Sequence, residues 1–306
     1  MYNLNKIVSI GDLHGDYNVL IRILKMCNLI NDNLDWTGSD TYVIQTGDIL
    51  DGRRPDIHLD PTFEQESGEV EIMELIYKLD NQAKRKNGRF IALIGNHELY
   101  PYYFKEDLKS ISGYVKKSDV KKYTEEYKIS RQQYLRPGGL MWNKIDRPLI
   151  LQLGEFLFVH GSITDKLIKY GLDKTGKVNI DKINKETNLW LDNKGKIPKY
   201  LIETDEENPV FSRKYSTKKI FNKKECDKFQ KQLDKFDGVN YVVVGHTTFD
   251  SINSTCKRSL IRTDIELSRA FGGNLNRKVH VLEIIQTEVS EPSIKIVTPR
   301  GKIDLR

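Results

Sequence analysis

Five short apolar segments, each followed at once by a polar cluster, constrain the fold of this chain more than any other feature of its sequence. They are rich in valine, isoleucine, phenylalanine and tyrosine, which is typical of buried strands. The segments with their clusters are KIVSI–GDLHG from residue 6, TYVIQT–GDILD from residue 41, RFIALI–GNHE from residue 89, GEFLFV–HGS from residue 154 and YVVV–GHT from residue 241. Sites in layered α/β folds lie at the carboxyl ends of strands. The pattern therefore predicts an α/β fold with one site at these ends.

Helical patterns separate the early segments. Apolar side chains recur with helical spacing over residues 20–27 and again over residues 70–83. A stretch rich in lysine, tyrosine and serine predicts a helical excursion over the site near residues 101–136. Later in the chain, residues 257–264, 278–286 and 293–299 predict consecutive strands that extend a second sheet.

Length and charge bound the class of protein. A chain of 306 residues suits one large domain or two small ones, and we expect a single domain over residues 1–306. The formal charge of +6 is spread over 49 basic and 43 acidic side chains, and no basic block resembles a nucleic-acid-binding arm. A spread excess of this kind is typical of solvated surface. We therefore expect no nucleic-acid partner.

The cysteines and the apolar runs bear on the compartment. Cys27, Cys226 and Cys256 are odd in number, far apart and outside any C-x-x-C spacing. This usage favours a reducing compartment and argues against disulfides and against a thiolate zinc site. No apolar stretch approaches the roughly 18 residues of a membrane span, and the first residues do not resemble a signal peptide. These features predict a cytoplasmic protein with no membrane partner.

The polar clusters together supply carboxylate, imidazole and amide groups. The residues are Asp12, His14, Asp48, Asn96, His97, His160 and His246. Such groups are a hard-to-borderline ligand set for divalent transition metals. Two ions roughly 3.5–4 Å apart can clamp a phosphoryl group and activate water near neutral pH. One cluster alone could be a turn whose aspartate caps the next helix, but five clusters in this order rarely arise by chance.

The ordered motifs GDLHG, GDILD, GNHE, HG and GH resemble the calcineurin-like metallophosphoesterase superfamily, and specifically its phosphoprotein phosphatase branch. Residues 134–164, 179–191, 207–216 and 245–273 are similar to the bacterial-type, Shewanella-like phosphatases. The resemblance implies a four-layer α/β sandwich in which two facing mixed β-sheets are flanked by helices. It also implies a phosphomonoester hydrolase that acts by direct attack of a metal-bridging hydroxide.

The resemblance assigns metal-binding roles to six residues. Asp12 and His14 would bind the first ion, and Asp48 would bridge both ions. The second ion would be bound by Asn96, His160 and His246. The cofactor it implies is a pair of divalent ions. We expect manganese, with iron and zinc as alternatives because they accept the same ligands.

The resemblance also implies an acid and a phosphate clamp. His97 would protonate the leaving oxygen, and Asp51 would orient it, because an imidazolium beside a carboxylate can donate a proton to an alkoxide. Arg213 matches the phosphate-binding arginine of the family, and a guanidinium fork suits phosphate oxygens. The family usually has Asp-Arg-Gly where this chain has Asp51-Gly52-Arg53-Arg54, so either Arg53 or Arg54 could supply the second arginine, or both could be solvated.

Three functions are compatible with this set of site residues. The resemblance favours a phosphoprotein substrate that carries phosphoserine, phosphothreonine or phosphotyrosine. A dinucleoside polyphosphate or nucleotide phosphatase would need aromatic stacking residues at the pocket mouth, and the candidates are Tyr100, Tyr102, Tyr103 and Trp142. An inactive phosphoprotein-binding scaffold is the third possibility, and only the displaced arginine favours it.

Overall fold

The structure of the chain is a computed structural model that describes residues 6–104, 113–144, 147–274, 278–286 and 290–305. The described part contains two mixed sheets, one of six strands and one of five. The strands are β1 (Lys6–Ile10), β2 (Tyr42–Gln45), β3 (Arg89–Ala92), β4 (Ile150–Leu153), β5 (Phe156–Val159), β6 (Tyr241–Val244), β7 (Asn253–Thr255), β8 (Leu260–Arg262), β9 (Val281–Ile285), β10 (Ser293–Thr298) and β11 (Gly301–Asp304).

The first sheet has the strand order β11-β10-β9-β1-β2-β3. Strands β1, β2 and β3 are parallel, with Ile7 opposite Tyr42 and Tyr42 opposite Arg89. The three polar clusters that follow these strands therefore lie along one edge of the sheet. The second sheet has the order β4-β5-β6-β8-β7, in which β5, β6 and β8 are parallel. Its carboxyl edge carries the clusters that begin at His160 and Gly245.

Helices cover the sheets. In the described residues they are α1 (Tyr17–Met26), α2 (Pro61–Gln65), α3 (Glu69–Lys84), α4 (Asn96–Tyr103), α5 (Lys117–Tyr127), α6 (Arg131–Leu135), α7 (Leu140–Lys144), α8 (Asp165–Gly171), α9 (Ile180–Leu191) and α10 (Lys223–Leu233). Helix α1 begins where the Asp16 carboxylate accepts a hydrogen bond from the Val19 amide, as in a standard N-cap. The predicted stripes of α1 and α3 are buried.

Alternation along the strands explains how the layers pack. Phe158 and Val243 belong to the apolar core that also contains Ile7 of the first sheet. Their neighbours Leu157 and Val242 belong to a second core, which includes buried side chains of α8, α9 and α10. Because successive side chains of a strand point to opposite faces, the second sheet lies between the first sheet and these helices. The predicted layered fold of two mixed sheets flanked by helices is confirmed.

The prediction for the later strands was wrong in part. Strand β8 lies in the second sheet, but β9, β10 and β11 extend the first sheet, where β9 pairs antiparallel with β1. The physical reason is that β1 offers a second edge, and β9 is buried along most of its length when it pairs there. The helical excursion is present as α4, α5 and α6 in the described residues, and residues 105–112 lie outside them.

The expectation of unpaired cysteines was also wrong. Cys226 of α10 and Cys256, which follows β7, form a disulfide with their Cα atoms 5.1 Å apart, while Cys27 is free and buried. The two partners are 30 residues apart, and the fold brings α10 beside the β7–β8 turn. The cysteine-based argument for a reducing compartment therefore fails. Among the described helices, none combines the length and the apolar character that a bilayer crossing requires.

Candidate metal centre and active site

Strand ends from both sheets meet around one cavity of 550 Å³. Described residues on its wall are Asp12, His14, Asp48, Arg54, Asn96, His97, Tyr100, Tyr114, Thr204, Asp205, Glu206, Phe211, Arg213, His246, Thr248, Asp264 and Phe271. His160 and Asp51 are completely buried just behind this wall. The structure thus brings together all six predicted metal ligands and the predicted acid with its aspartate.

One group of donors surrounds the Asp48 carboxylate on the side of the second sheet. His160 Nε2 lies 2.9 Å from Asn96 Oδ1 and 3.3 Å from Asp48 Oδ2. Asp48, His160 and His246 each place a ligand atom within 4.8 Å of the others. Buried nitrogen and oxygen donors converge here at the spacing that a divalent ion requires.

A second group shares Asp48 and faces the first sheet. His14 Nε2 lies 3.9 Å from Asp48 Oδ2 and 4.0 Å from Asp12 Oδ2. His97 Nε2 lies 3.8 Å from the same Asp48 oxygen, so His97 belongs geometrically to this group. Asp48 therefore stands between two sets of donors, which is the arrangement that a bridging ligand needs.

Backbone carbonyls orient the three histidine ligands. His14 Nδ1 donates to the Leu50 carbonyl at 2.9 Å, His160 Nδ1 donates to the Thr46 carbonyl at 2.8 Å, and His246 Nε2 donates to the Phe211 carbonyl at 3.0 Å. In each ring the other nitrogen is left to face the centre. Carbonyl partners of this kind fix the tautomer of metal-binding histidines.

Burial controls the charge of these groups. Burial and the neighbouring Arg54 guanidinium lower the pKa of His14 well below its usual range, and burial with the nearby His160 does the same for the pKa of His246. Both rings are therefore neutral and able to bind a metal. Burial opposes ionisation of Asp48, but the surrounding imidazoles hold its pKa well below the usual range. Burial and the charge of Asp264 raise the pKa of Asp12 well above its usual range.

Unusual backbone conformations aim the ligands. His14, Asp48, Asp51 and His246 all have left-handed backbones, with φ of 40°, 58°, 67° and 65°. Such conformations are costly for residues with a side chain and cluster at functional sites.

Glu98 fixes the turn after β2, because its carboxylate accepts hydrogen bonds from the amides of Asp48, Ile49 and Leu50 at 2.9, 2.8 and 3.3 Å.

Two glycines allow the strand ends to approach. A side chain at Gly95 would place its Cβ 2.2 Å from Asp48 Oδ1, and one at Gly47 would place it 2.7 Å from His160 Nδ1. Both distances are shorter than any real contact. Glycine is therefore required at 95 for the turns after β2 and β3 to meet, and at 47 for the first sheet to approach His160 of the second.

The predicted acid and its aspartate are in direct contact. His97 Nδ1 lies 2.7 Å from Asp51 Oδ2, and the other oxygen of Asp51 accepts from Arg131 Nη2 at 2.7 Å. Arg131 also binds Glu69, with Nε 2.7 Å from Oε2. Burial opposes ionisation of Asp51, yet the Arg131 guanidinium lowers its pKa below the usual value. Asp51 is therefore a charged acceptor beside His97.

The candidate phosphate-binding arginines lie in different places. Arg54 lines the cavity, where Nη2 donates to His14 Nε2 at 2.7 Å. Arg213 lines it from the other side, held by hydrogen bonds of 3.0 Å to the His246 carbonyl and to Thr247 Oγ1. Arg53 instead pairs with Glu64 at the surface and is not part of the cavity wall.

Sequence reasoning missed several residues of this site. Glu98 was overlooked as an organiser of the metal turn, although it is the third residue of α4 and its carboxylate accepts a hydrogen bond from the Gly95 amide at 2.7 Å. Arg131 and Glu69 gave no local signal. Asp264 lies within residues 245–273, which resemble the Shewanella-like phosphatases, but from the sequence it was expected only to support the structure. Asp264 follows β8, and burial raises its pKa to about 6.

Comparison with known proteins agrees with this geometry. Residues 5–248 match the sequence model of the family described as calcineurin-like phosphoesterase. The chain belongs to the calcineurin-like phosphoesterase family. It is a metallophosphoesterase, a hydrolase with phosphatase-type chemistry, and the family uses divalent metals.

Relatives extend the likeness over nearly the whole chain. Shewanella-like protein phosphatase 2 of Arabidopsis thaliana is 27% identical over 333 residues, which cover 96% of this chain and 77% of that protein. Shewanella-like protein phosphatase 1 of Plasmodium berghei is 29% identical over 277 residues, which cover 87% of this chain and 69% of that protein. The resemblance to Shewanella-like phosphatases is confirmed.

A solved structure has the same fold. The cold-active protein-tyrosine phosphatase of a psychrophilic Shewanella species matches with a TM-score of 0.72 at 20% identity, covering 99% of this chain and 81% of that one. At this identity the match bears on the fold alone, and it supports the two-sheet architecture described above.

Proposed function

We propose that this chain is a metal-dependent protein phosphatase that hydrolyses phosphomonoesters, with phosphotyrosine as its preferred residue and manganese as its metal. One observation carries the proposal. Asn96 Oδ1 and Asp48 Oδ2 lie 2.9 and 3.3 Å from His160 Nε2, and His97, which contacts Asp51, lies on the other side of the Asp48 carboxylate. The centre draws residues from both sheets, so we also propose that residues 1–306 act as a single catalytic domain.

The metal-binding set would hold two divalent ions. Its members are Asp12, His14, Asp48, Asn96, His160 and His246. When bound, such ions supply positive charge for the phosphoryl group and lower the pKa of an attacking water. The imidazoles also suit iron and zinc, and manganese is proposed because it favours the carboxylate and amide oxygens of the set.

His97 is the proposed general acid. Its Nε2 faces the Asp48 side of the cavity, and its Nδ1 is held by Asp51 at 2.7 Å. A charged Asp51 stabilises the imidazolium and fixes the ring, so that the proton on Nε2 can pass to the leaving oxygen.

Arg54 and Arg213 are the proposed phosphate clamp. They reach the cavity from opposite sides, and a guanidinium binds phosphate oxygens through two parallel hydrogen bonds. Because Arg54 contacts the His14 nitrogen that would bind a metal, metal binding would release the guanidinium and leave it available for the phosphate. Arg53 is the weaker candidate, because its guanidinium is engaged by Glu64.

Aromatic walls support phosphotyrosine as the substrate. Tyr100, Tyr114, Phe211 and Phe271 line the cavity, and the Tyr100 and Phe211 rings are stacked with centroids 5.9 Å apart. Such walls can pack against the ring of a phosphotyrosine, whereas phosphoserine has no ring to place there. The Shewanella phosphatase with the same fold is named a protein-tyrosine phosphatase.

A nucleotide polyphosphate is less well supported. Of the four aromatic candidates for base stacking, only Tyr100 lines the cavity; Tyr102 packs on Trp190 with ring centroids 4.8 Å apart. The cavity rim carries the exposed carboxylates of Asp205 and Glu206. A chain of phosphates would be repelled by this rim. The hypothesis of an inactive scaffold is also less well supported, because Arg54 reaches the cavity although it is displaced in sequence from the usual arginine position after Asp51.

The decisive experiment measures turnover of aryl phosphates with added Mn²⁺. His97→Ala should lower kcat by about 10²–10⁴-fold, and the loss should be larger for phenyl phosphate than for p-nitrophenyl phosphate, whose leaving group needs less protonation. The thermal stabilisation by Mn²⁺ should remain. His280→Ala, outside the cavity, is the matched control and should leave kcat unchanged. Metal binding without hydrolysis of any phosphoester would favour the scaffold.

A substrate panel then tests specificity. Phosphotyrosine, phosphoserine and phosphothreonine peptides and a dinucleoside tetraphosphate are compared by kcat/KM. We expect the phosphotyrosine peptide to have the highest kcat/KM. The double variant Asp205→Asn/Glu206→Gln should raise kcat/KM only for the tetraphosphate.

A cytoplasmic location stays a prediction from the sequence. The disulfide argues against it, because disulfides are rare in a reducing compartment.

A further inference from the structure

Asp264 is a buried acid at the edge of the metal centre that none of the roles above uses. It follows β8, which lies parallel to β6 with Val244 opposite Arg262. Two residues past Arg262, Asp264 lines the same cavity as His246, although it is only 1% exposed. Its carbonyl accepts a hydrogen bond from the Phe249 amide at 3.1 Å, which fixes its backbone.

The Asp264 carboxylate has one oxygen bound and one oxygen free. Oδ1 accepts a hydrogen bond from the Glu266 amide at 3.1 Å. Oδ2 is buried, and no donor within the described ranges reaches it. Leaving a buried carboxylate oxygen without a donor is strongly unfavourable. A side chain that served packing alone would be better as a neutral residue, so the free oxygen indicates a partner from outside the chain.

The neighbours of Asp264 indicate which partner this is. A Cβ built on Gly11 would lie 3.2 Å from the Asp264 Cα, so the backbones of the two turns touch. Asp12, the next residue, projects into the same cavity. Asp264 itself belongs to neither group of described residues whose ligand atoms lie within 4.8 Å of one another. Asp12 is absent from these groups as well, but its Oδ2 lies 4.0 Å from His14 Nε2, whereas no histidine nitrogen in the described ranges lies within 4.0 Å of an Asp264 oxygen. Asp264 therefore lies near the metal-binding set but farther from its histidines than Asp12 does.

We propose that Asp264 is a positioning residue of the metal centre, whose free Oδ2 accepts a hydrogen bond from water in the shell of the bound cations. The inference rests on the proposed two-cation function. It gives the centre a third carboxylate beside Asp12 and Asp48, acting through water. Partners in this outer shell typically contribute 10–100-fold to metal affinity.

The test is Mn²⁺ titration of the metal-free protein by calorimetry, with bound metal counted by elemental analysis. Wild type should bind two Mn²⁺ per chain. Asp264→Asn should still bind two, with about 10–100-fold weaker affinity. Its thermal midpoint without metal should equal or exceed that of wild type, because the unpaired charge is gone. Asp250→Asn, an exposed acid nearby, should change neither quantity.

Each other outcome contradicts a distinct step. Unchanged Mn²⁺ affinity in Asp264→Asn together with a lower metal-free midpoint would assign Asp264 a purely structural role. Loss of one bound Mn²⁺ would make it a direct ligand, which also overturns the proposal. If wild type itself binds no Mn²⁺, the proposed function fails first. Should Asp264→Asn not fold, Asp264→Ser must show the same weakening, and wild-type affinity in that variant refutes the role.

Discussion

Arg131→Met tests the contact that joins the helical excursion to the candidate acid. Arg131 begins α6 and is 7% exposed. Its guanidinium donates to Asp51 at 2.7 Å and to Glu69 at 2.7 and 2.9 Å. Methionine has a similar length and no charge, so the substitution removes the cation and leaves two buried carboxylates without the guanidinium that they share.

The size of the effect follows from this burial. Removing one partner of a buried ion pair destabilises a protein by about 3–5 kcal/mol, because the other partner remains buried and uncompensated. With a urea m-value of about 3 kcal/mol/M, the unfolding midpoint should fall by about 1–1.7 M. Arg53→Met is the matched control, because it breaks an Arg–Glu pair whose side chains are 35% and 46% exposed. Exposed pairs contribute about 0–1 kcal/mol.

If Arg131→Met and Arg53→Met lose the same small amount of stability, the buried ion pair of Arg131 contributes no more than the exposed pair of Arg53, and the prediction is wrong. A second measurement separates charge from shape. Adding Glu69→Gln to Arg131→Met removes one of the unpaired charges, so the double variant should be more stable than Arg131→Met alone. We also expect kcat to fall in Arg131→Met, since Asp51 loses the partner that keeps it charged beside His97. A double variant less stable than the single one would mean that Glu69 acts through its shape.

Two further predictions concern pH and thiols. Burial and the charge of Glu69 raise the pKa of Asp119 to about 7. An acid whose folded-state pKa is raised stabilises the fold only while protonated, so wild-type stability should fall as pH rises from about 4 to about 7. Asp119→Asn stays neutral, and its thermal midpoint should exceed that of wild type at pH 8 but not at pH 4; a constant difference would contradict this. Thiol titration should find no reactive group in the native oxidised protein, one after unfolding, which is Cys27, and three after reduction; three thiols after unfolding without a reductant would exclude the Cys226–Cys256 bond.

Local patterns explain which parts of the site could be predicted. Each polar cluster follows its own apolar strand, and parallel strands bring their carboxyl ends to one edge whatever the rest of the chain does. The positions of Asp12, Asp48 and His160 therefore followed from short stretches of sequence. The two arginines after Asp51 were ambiguous, because only the turn geometry decides that Arg54 faces the cavity.

Long-range contacts explain what was missed. Arg131 meets Asp51 across 80 positions of sequence, and the cysteine partners are 30 positions apart. Neither contact leaves a periodic trace in the sequence. The strand pattern of residues 278–286 likewise identified β9 but not its partner, since a buried apolar strand is compatible with either sheet. Pairing with β1 follows from where an open edge exists, which is a property of the assembled fold.

From the charge of the cavity we expect metal loading to be a condition for binding phosphate. Two guanidinium groups line it, those of Arg54 and Arg213, against more carboxylates than they can balance. The carboxylates on the wall are Asp12, Asp48, Asp205, Glu206 and Asp264. Asp12 is protonated in the metal-free cavity because its pKa is raised, but the other carboxylates still outnumber the two guanidinium groups. The wall is then net negative and would repel a phosphate dianion, whereas two divalent ions would reverse the sign. Inorganic phosphate should therefore raise the thermal midpoint of the Mn²⁺-loaded protein and leave that of the chelator-treated protein unchanged. Equal stabilisation in both states would mean that the arginines alone hold the phosphate, and that the cations have a role only in the chemical step.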